Sequence, residues 1–429
     1  MSGFTTTTST RRQFMGSLPL LAGLAAGCRT GVGGASLDKP AGRFLFTTQG
    51  RTALMNADGT GFRVLELDRP LQVTWQPTAF FPDGRRLLML SMEARRDGPG
   101  RPFEEYYTQT PTHLWIYDLD SGALDEIATR DRLAVFYTPE LLLGNDRMLV
   151  QVTRNRVGQI FNMRLDGSDA REFTRAGEGL PYGTSLSPDG RRVAFHLASP
   201  LGYQIWTSDL EGRNRVQVAG DPEYLYFGPR WSPDGEWLAF QGCLYRQDPG
   251  HDWSDVFVSR PDGSERRALT AGQSQWFAAT YGRPGLRGGG SNMISWTRDG
   301  QILFSPRQPG SRVPWEYQSG RPDTDHFNRD YQPESARGGV GIGRLEVRSG
   351  GIQSLIKSET GVWDCRASES PDGRWILFCR ARTGEMPGLW LMASDGSHPR
   401  LLTDGSGHQG ADHPRWLPSV WGTTDGERF

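Results

Sequence analysis

One four-residue turn recurs along the chain and constrains the fold more than any other feature of the sequence. Asp-Gly closes each complete copy, and Asp-Gly favours tight hairpins because glycine accepts a positive φ. The copies are Phe81-Pro82-Asp83-Gly84, Ser187-Pro188-Asp189-Gly190, Ser232-Pro233-Asp234-Gly235, Thr297-Arg298-Asp299-Gly300 and Ser370-Pro371-Asp372-Gly373, with a degenerate copy at Gly144-Asn145-Asp146-Arg147. Each complete copy is followed by a short apolar run, such as Trp237-Leu238-Ala239-Phe240, which is typical of a β-strand.

A second turn follows each of these runs. The second turns are Ala57-Asp58-Gly59, Asp120-Ser121-Gly122, Asp166-Gly167, Glu211-Gly212, Asp262-Gly263, Ser349-Gly350 and Asp395-Gly396. The N-terminal unit lacks a first turn and starts at Arg43-Phe44-Leu45-Phe46. At the other end, His413-Pro414-Arg415-Trp416-Leu417-Pro418 resembles a strand that precedes a first turn.

These complementary ends indicate a closed repeat. We expect an all-β, seven-bladed β-propeller of four-stranded antiparallel blades, in which the C-terminal strand pairs with the N-terminal blade. Closure removes the free edges that an open array exposes. An open solenoid is the structural alternative, but it does not explain half-units at the two ends.

Composition agrees with this fold and disfavours several functions. The 429 residues include 55 Gly and 28 Pro, which is typical of a chain with many turns. The net charge of -1 argues against a nucleic-acid partner, which requires a basic surface. Lysine occurs only at Lys39 and Lys357, so Schiff-base chemistry and a P-loop lysine are nearly excluded.

The N-terminus has the order of an export signal. Arg11-Arg12 precedes an apolar stretch over residues 18–24, and small residues then precede Cys28. We predict a twin-arginine, lipoprotein-type signal peptide over 1–27, a flexible tether over 28–41, the propeller over 42–418 and a C-terminal tail over 419–429. Export by this route and acylation of Cys28 would place the protein in the periplasm, attached to a bacterial membrane only by its N-terminal lipid. We expect it to be a monomer.

Three further cysteines, Cys243, Cys365 and Cys379, do not imply a disulfide framework because their number is odd. Cys365 and Cys379 are spaced symmetrically about the turn at Asp372, so they could face each other across a hairpin. Buried thiols within strands are the favoured interpretation.

The longer insertions fall on one face of the predicted ring. The Asp-Gly turns occupy the other face, so the connections over 91–112, 241–254, 271–291 and 305–337 lie opposite them. The histidines that map to this loop-rich face or its rim are His113, His251, His326, His408 and His413. Elaborated loops on a rigid scaffold are where binding is expected, so this face is predicted to carry function.

The same face offers side chains suited to a carbohydrate or another small polar ligand. Aromatic rings stack on sugars, and arginine binds a carboxylate with two hydrogen bonds. The residues predicted to bind substrate are Trp253, Trp276, Tyr281, Arg321, Asn292, Trp363, Asp364 and Tyr226. A solvated polar rim without a ligand is the alternative.

The Ser-Pro-Asp-Gly turns, with an aromatic residue after the apolar run, resemble the WD40-like propeller repeats of the TolB type over roughly residues 42–418. The resemblance implies the propeller fold and leaves activity open, because such propellers have many functions. The chain contains no Gly-x-Ser-x-Gly, which disfavours a propeller-gated serine peptidase.

His413-Pro414 also resembles the His-Pro-His-Pro segment of the oligogalacturonate lyase family, seven-bladed propellers in which His and Gln side chains bind a divalent metal. Arg415 stands where that family has its second His. The resemblance implies a divalent metal, manganese or calcium, with His408, Gln409 and His413 as ligands.

Two functions follow from these features. A lyase acting on a uronate glycan removes a proton beside the carboxylate and stabilises the enolate. His251 or His326 is then the candidate base, and Arg366, Arg415 and Arg321 are the candidate carboxylate partners. The alternative is a non-catalytic, TolB-like scaffold that binds a periplasmic protein or glycan.

Overall fold

The computed structural model describes residues 39–49, 51–93, 111–129, 139–154, 157–199, 202–244, 253–278, 290–313, 315–317, 329–331, 333–404, 408 and 410–418. In these ranges the chain forms strands, with one 3-10 turn at Pro333–Ser335 and no α-helix. No helix among them has the length and apolarity needed to cross a bilayer. The predicted signal peptide, Cys28 and the C-terminal tail lie outside these ranges.

The strands of the first half of the chain are short and mostly buried. They are β1 (Arg43–Thr48), β2 (Arg51–Asn56), β3 (Arg63–Val64), β4 (Gln72–Phe80), β5 (Arg86–Glu93), β6 (Thr112–Asp118), β7 (Leu124–Ile127), β8 (Glu140–Leu141), β9 (Arg147–Arg154), β10 (Val157–Arg164), β11 (Arg171–Glu172), β12 (Leu180–Leu186), β13 (Arg192–Ser199), β14 (Gly202–Asp209) and β15 (Val216–Ala219).

The second half continues the same pattern. Its strands are β16 (Tyr224–Trp231), β17 (Leu238–Leu244), β18 (Trp253–Ser259), β19 (Arg267–Ala268), β20 (Ser274–Gln275), β21 (Phe277–Ala278), β22 (Gly290–Ser291), β23 (Ser295–Trp296), β24 (Ile302–Phe304), β25 (Trp315–Tyr317), β26 (Arg329–Tyr331), β27 (Ile342–Leu345), β28 (Ile352–Ile356), β29 (Val362–Glu369), β30 (Trp375–Arg382), β31 (Gly388–Ala393), β32 (Arg400–Leu401) and β33 (Asp412–Trp416).

Neighbouring strands pair into antiparallel meanders. The four-stranded sheets have the orders β3-β2-β1-β33, β4-β5-β6-β7, β11-β10-β9-β8, β23-β24-β27-β28 and β29-β30-β31-β32. A larger sheet contains the meander β12 to β15 and the meander β16 to β19, which a single parallel pair, Tyr203 with Leu225, joins. The predicted all-β fold of four-stranded antiparallel sheets is therefore confirmed. We call β4, β8, β12, β16, β23, β29 and β33 the lead strands.

The chemistry of the repeated turn explains why it forms. Ser187 donates its hydroxyl to Asp189 Oδ1 over 2.5 Å and accepts a bond from the backbone N of Arg192 over 2.9 Å. The serine thus holds both ends of the turn, and Gly190 adopts a φ of 68°. The same hydroxyl-to-carboxylate bond occurs at Ser232–Asp234, Thr297–Asp299 and Ser370–Asp372.

Tryptophan indoles connect some lead strands to the preceding one. Each of these tryptophans stands one residue before the first position of the repeated turn, or of its C-terminal counterpart. Their Nε1 atoms donate to backbone carbonyls, with the pairs Trp231 to Ser185 (3.0 Å), Trp296 to Arg230 (3.0 Å) and Trp416 to Ser368 (3.2 Å). One residue type at one repeat position therefore links successive sheets.

The C-terminal strand lies beside the N-terminal sheet, as the complementary ends predict. Phe44 is the register partner of Trp416, and Leu45 is the partner of Arg415. A hydrophobic cluster shared by the first and last sheets covers this junction and includes Phe44, Phe46, Met55, Leu377, Leu389 and Leu391.

Candidate functional site

A cleft of about 530 Å³ opens beside β30, β31 and the chain that leads to β33. Its size is within the usual range for a small-molecule site. The β30–β31 connection at its edge lies at the opposite end of β30 from the Asp372-Gly373 turn, so the cleft is on the predicted loop-rich face. Side chains that line it include Arg380, Arg382, Glu385, Trp390, Asp404 and His408.

Arg380 is fixed in this cleft by a buried carboxylate. Its Nε and Nη2 donate to the two oxygens of Asp364 over 2.7 and 2.8 Å, and its guanidinium lies 4.8 Å from the centre of the Trp390 ring. Burial raises the pKa of Asp364, and the hydrogen bonds and charge of Arg380 offset part of that rise. The ion pair therefore positions the guanidinium over the tryptophan.

Arg382 differs from Arg380 because it is exposed. The two arginines are separated by one residue on β30, so they lie on the same face of the strand. Trp390 of β31 is the register partner of Phe378, which lies two residues before Arg380 on β30. The indole of Trp390 is therefore on the same face of the sheet as the two arginines, next to Arg380. The cleft thus combines an exposed guanidinium, an ordered guanidinium and an aromatic ring with the carboxylates of Glu385 and Asp404.

A second cluster of polar side chains joins β29 to β33. Nη1 of Arg366 donates to both oxygens of Asp412 over 2.7 and 2.8 Å, and Asn292 Oδ1 accepts from the backbone N of Arg366 over 2.8 Å. Asp412 also accepts from the backbone N of His413 over 2.7 Å, and its Oδ2 lies 3.1 Å from His413 Nδ1. Burial alone would raise the pKa of Asp412, but Arg366 and His413 together hold it well below its ordinary value.

The backbone at Arg366 and His413 is left-handed, with φ of 56° and 54°. Both lie where the register of a lead strand shifts. In β12 and β16 the corresponding position, four residues before the serine of the turn, is Gly183 or Gly228, with φ of 65° and 62°. Non-glycine residues in this region are strained and cluster at functional sites. The replacement of glycine by Arg366 and His413 at this repeat position can be seen by comparing the repeats, but sequence analysis missed it.

Several residues predicted to bind substrate are buried in contacts within the fold. They are Tyr226, whose hydroxyl donates to Asp221 over 2.7 Å; Trp276, which packs on Phe227; Asn292, whose Nδ2 donates to Gln275 O; Trp363, whose Nε1 donates to Thr383; and Asp364. Trp253 begins β18 and is half-buried. Ligand contact by these residues stays a prediction.

The structure describes only some of the residues that were predicted to act in catalysis or to bind a metal. Arg415 donates to the backbone carbonyls of Pro77 and Thr78 over 2.6 and 2.9 Å, so it links β33 to β4. His408 lines the cleft, with its ring 4.2 Å from that of Phe62 and edge-on to it. The calls that fall outside the described residues are His251, Tyr281, Arg321, His326 and Gln409.

The predicted metal site is also incomplete. Within the described ranges, no group of three or more His, Cys, Asp or Glu side chains is arranged to hold a metal ion. Of the two described candidates, His413 already contacts Asp412 through Nδ1, and His408 packs against Phe62. Imidazole nitrogens are the usual ligands of zinc, copper, iron and nickel, whereas manganese and calcium prefer oxygen donors, so in the predicted set only the amide oxygen of Gln409 suits the predicted metals. The metal site stays a prediction.

Glu140 on β8 is a charged residue that sequence analysis missed. It interacts electrostatically with Arg230 of β16 and Arg415 of β33, while burial raises the pKa of its carboxyl group. Three lead strands thus contribute opposite charges to one partly buried region.

Comparison with known sequences finds limited similarity. No family model matches the chain. It is 36% identical over 86 residues to the Tol-Pal system protein TolB of Syntrophus aciditrophicus, covering 19% of this chain and 18% of that protein. It is 26% identical over 219 residues to an uncharacterized protein of Agrobacterium fabrum, covering 47% and 66%. The chain therefore spans less than two thirds of either relative.

Solved structures show similarity over most of the chain. An oligogalacturonate lyase in complex with manganese matches with a TM-score of 0.50 at 14% identity, covering 85% of this chain and 87% of that one. An oligogalacturonate lyase from Vibrio parahaemolyticus gives 0.51 at 12%, covering 84% and 86%. A puromycin hydrolase gives 0.53 at 16%, covering 86% and 51%.

At these identities the structural similarity shows the fold alone. It agrees with the repeat, the antiparallel meanders and the TolB segment. The predicted resemblance is confirmed: this is an all-β protein with a propeller-type fold, similar to TolB proteins and oligogalacturonate lyases.

Proposed function

We propose that the protein is an exported, seven-bladed propeller that binds an anionic carbohydrate in the cleft of Arg380, Arg382, Trp390 and His408. The observation that carries the proposal is the pairing of exposed Arg382 with an aromatic wall in a cleft of about 530 Å³. Trp390, which is partly exposed beside Arg380, contributes an apolar wall for a sugar ring, and Arg382 offers two parallel donors for a carboxylate.

A closed ring of seven blades is part of this proposal. Contacts between lead strands support it, because they run from one end of the chain to the other. The tryptophan bonds join β12 to β16, β16 to β23 and β29 to β33, Ser295 joins β23 to β29 over 2.7 Å, and Arg415 joins β33 to β4. β8 contacts both β4 and β12.

The cellular location in the proposal rests on the sequence. The twin-arginine pattern and the small residues before Cys28 support a periplasmic protein with an N-terminal lipid. We propose that the ring acts as a monomer.

Titration of tryptophan fluorescence with oligogalacturonates tests the binding proposal, with neutral oligosaccharides of the same length as the ligand control. We expect saturable binding of the uronates only, and at least a tenfold loss of affinity in Arg382→Ala, since charged hydrogen bonds contribute about 1.5–3 kcal/mol. Arg348→Ala is the matched variant, an exposed arginine in the turn that joins β27 and β28. Equal affinity of Arg382→Ala and the wild type would contradict the proposal.

β-Elimination on a uronate glycan is the second candidate function. The strained backbone at Arg366 and His413 favours it, because glycine occupies this position in two related strands. Arg366 or Arg415 would neutralise the substrate carboxylate, and His251 or His326 would remove the proton. When bound by His408, Gln409 and His413, manganese or calcium would stabilise negative charge on the substrate.

The absorbance of unsaturated uronate products tests this candidate. Pectic, glycosaminoglycan and ulvan-like substrates are each incubated with the protein, with and without added manganese or calcium. A signal that His251→Ala or His326→Ala abolishes supports elimination. Binding without product supports a non-catalytic role, and the absence of both favours a scaffold for a periplasmic protein.

A further inference from the structure

Cys365 and Cys379 are direct register partners on β29 and β30. Directly opposed residues of an antiparallel pair have Cα atoms about 4.5 or 5.5 Å apart, and their side chains are on the same face of the sheet. Both separations suit a disulfide, which needs a Cα distance of about 4.4–6.8 Å. The backbone therefore already has the spacing that an S–S bond requires.

The surroundings of the pair favour a bond between these two thiols. Cys365 is 2% exposed and Cys379 is fully buried, within the cluster shared by the first and last sheets. The neighbouring Cys365 thiol and burial both raise the pKa of the Cys379 thiol, in agreement with the register that places the two residues opposite each other. Cys379 Sγ also lies 3.8 Å from the carbonyl of Ala411, next to β33.

The third described cysteine has no such partner in its sheet. Cys243 on β17 is the register partner of Leu225, and burial raises the pKa of its thiol to about 12. A cysteine of this kind is a poor nucleophile because the thiolate is the reactive form.

We propose that Cys365 and Cys379 form an intramolecular disulfide in an oxidising compartment. The oxidant is itself a disulfide, on a small molecule or on a protein. One thiolate attacks it to give a mixed disulfide, and the second thiolate displaces the oxidant's remaining sulfur. The two cysteines lose two protons and two electrons, and the oxidant is reduced to two thiols.

Burial determines when this reaction is fast. The raised pKa of Cys379 leaves little thiolate in the folded protein, so exchange there is slow. Exposed thiols react faster, so the bond forms rapidly when the chain refolds in the presence of the oxidant, and slowly when a protein that was exported already folded meets it. The bond would link β29 to β30 in the last sheet, next to β33. This inference rests on the proposed export to an oxidising compartment and is independent of carbohydrate binding.

Peptide mapping of the full chain tests the proposal. Reduced protein is refolded with oxidised and reduced glutathione, and a second sample is kept folded and incubated with oxidised glutathione. Each is alkylated in denaturant before digestion. We expect linked peptides that contain Cys365 and Cys379, with a loss of about 2 Da, rapidly in the refolding sample and slowly in the folded one.

Cys243→Ser should leave this linkage unchanged, and Cys379→Ser should abolish it. If Cys379→Ser does not fold, the wild-type map still decides the question. Full alkylation of Cys365 and Cys379 in both samples, or a linkage that involves Cys243, would overturn the proposal.

Discussion

Phe44 and Trp416, from opposite ends of the described chain, are register partners, and their rings lie 5.8 Å apart in an edge-to-face arrangement. The indole also donates to Ser368 O on β29. Trp416 therefore contacts the first sheet through its ring and the last sheet through its nitrogen. Its removal should weaken both junctions.

We expect Trp416→Ala to lower the free energy of unfolding by about 2–3 kcal/mol, since the side chain is partly buried and loses both packing and a hydrogen bond. Trp416→Phe keeps a ring against Phe44 and should cost about 1 kcal/mol. Urea denaturation measures both values. A change below 0.5 kcal/mol in Trp416→Ala, about the size expected of an uninvolved surface residue, would count against the role given to this strand.

Breaking the ion pair between Arg366 and Asp412 should be costly. Arg366→Met leaves the Asp412 carboxylate buried without its main cation, and we expect a loss of about 3–5 kcal/mol in the free energy of unfolding. Replacing both residues, as Arg366→Met with Asp412→Leu, should recover most of the loss, because no charge is then left buried. Guanidinium denaturation separates these cases. Equal stability of the single and double variants would contradict the pairing.

The left-handed backbone at His413 gives a third prediction. Glycine adopts φ near 54° without the strain that a Cβ causes, so His413→Gly should be more stable than His413→Ala by about 1 kcal/mol. Thermal denaturation of the two variants measures the difference. If His413 serves the site, both variants lose function although one of them is the more stable. An alanine variant as stable as the glycine variant would show that the strain is absent.

Stability should fall in acid because of His196. This histidine is 2% exposed, and burial lowers its pKa from 6.5 to about 3. Between these values the unfolded chain binds a proton that the folded chain does not, so stability decreases as pH falls, by up to about 1.4 kcal/mol per pH unit from this group.

His196→Leu should remove that part of the slope of unfolding free energy against pH between about 6.5 and 3. His398→Leu, at an exposed histidine, is the matched control. Urea titrations at several pH values give both slopes. Identical slopes in His196→Leu and the wild type would exclude a buried neutral imidazole.

The repeat made most of the fold predictable, because Asp-Gly turns and apolar runs are local signals. The pairing of Phe44 with Trp416 was also predictable, since the two ends of the chain carry complementary half-units. The bond from Trp231 to Ser185 was not, because the acceptor is a backbone carbonyl 46 residues away. Every residue has a backbone carbonyl, so the type of residue at the acceptor position does not reveal the bond.

The candidate site was harder to predict than the fold. Sequence analysis selected loop residues and strand starts, whereas Arg382 ends β30 and Trp390 is inside β31. Within a strand, the alternation of polar and apolar residues predicts which side chains face solvent and which face the core. It does not indicate that two neighbouring strands form a cleft. Asp364 illustrates the opposite case, since its position near a rim suggested a ligand contact and the structure buries it against Arg380.

The pairing of β1 with β33 has a consequence for biosynthesis. Residues 43–48 leave the ribosome long before their partner strand, Asp412–Trp416, is translated. Until then the edge of β1 has no native neighbour on that side, and the nascent chain carries an exposed template for mispairing. A chaperone that shields this edge until β33 is available should therefore raise the yield of correctly folded protein.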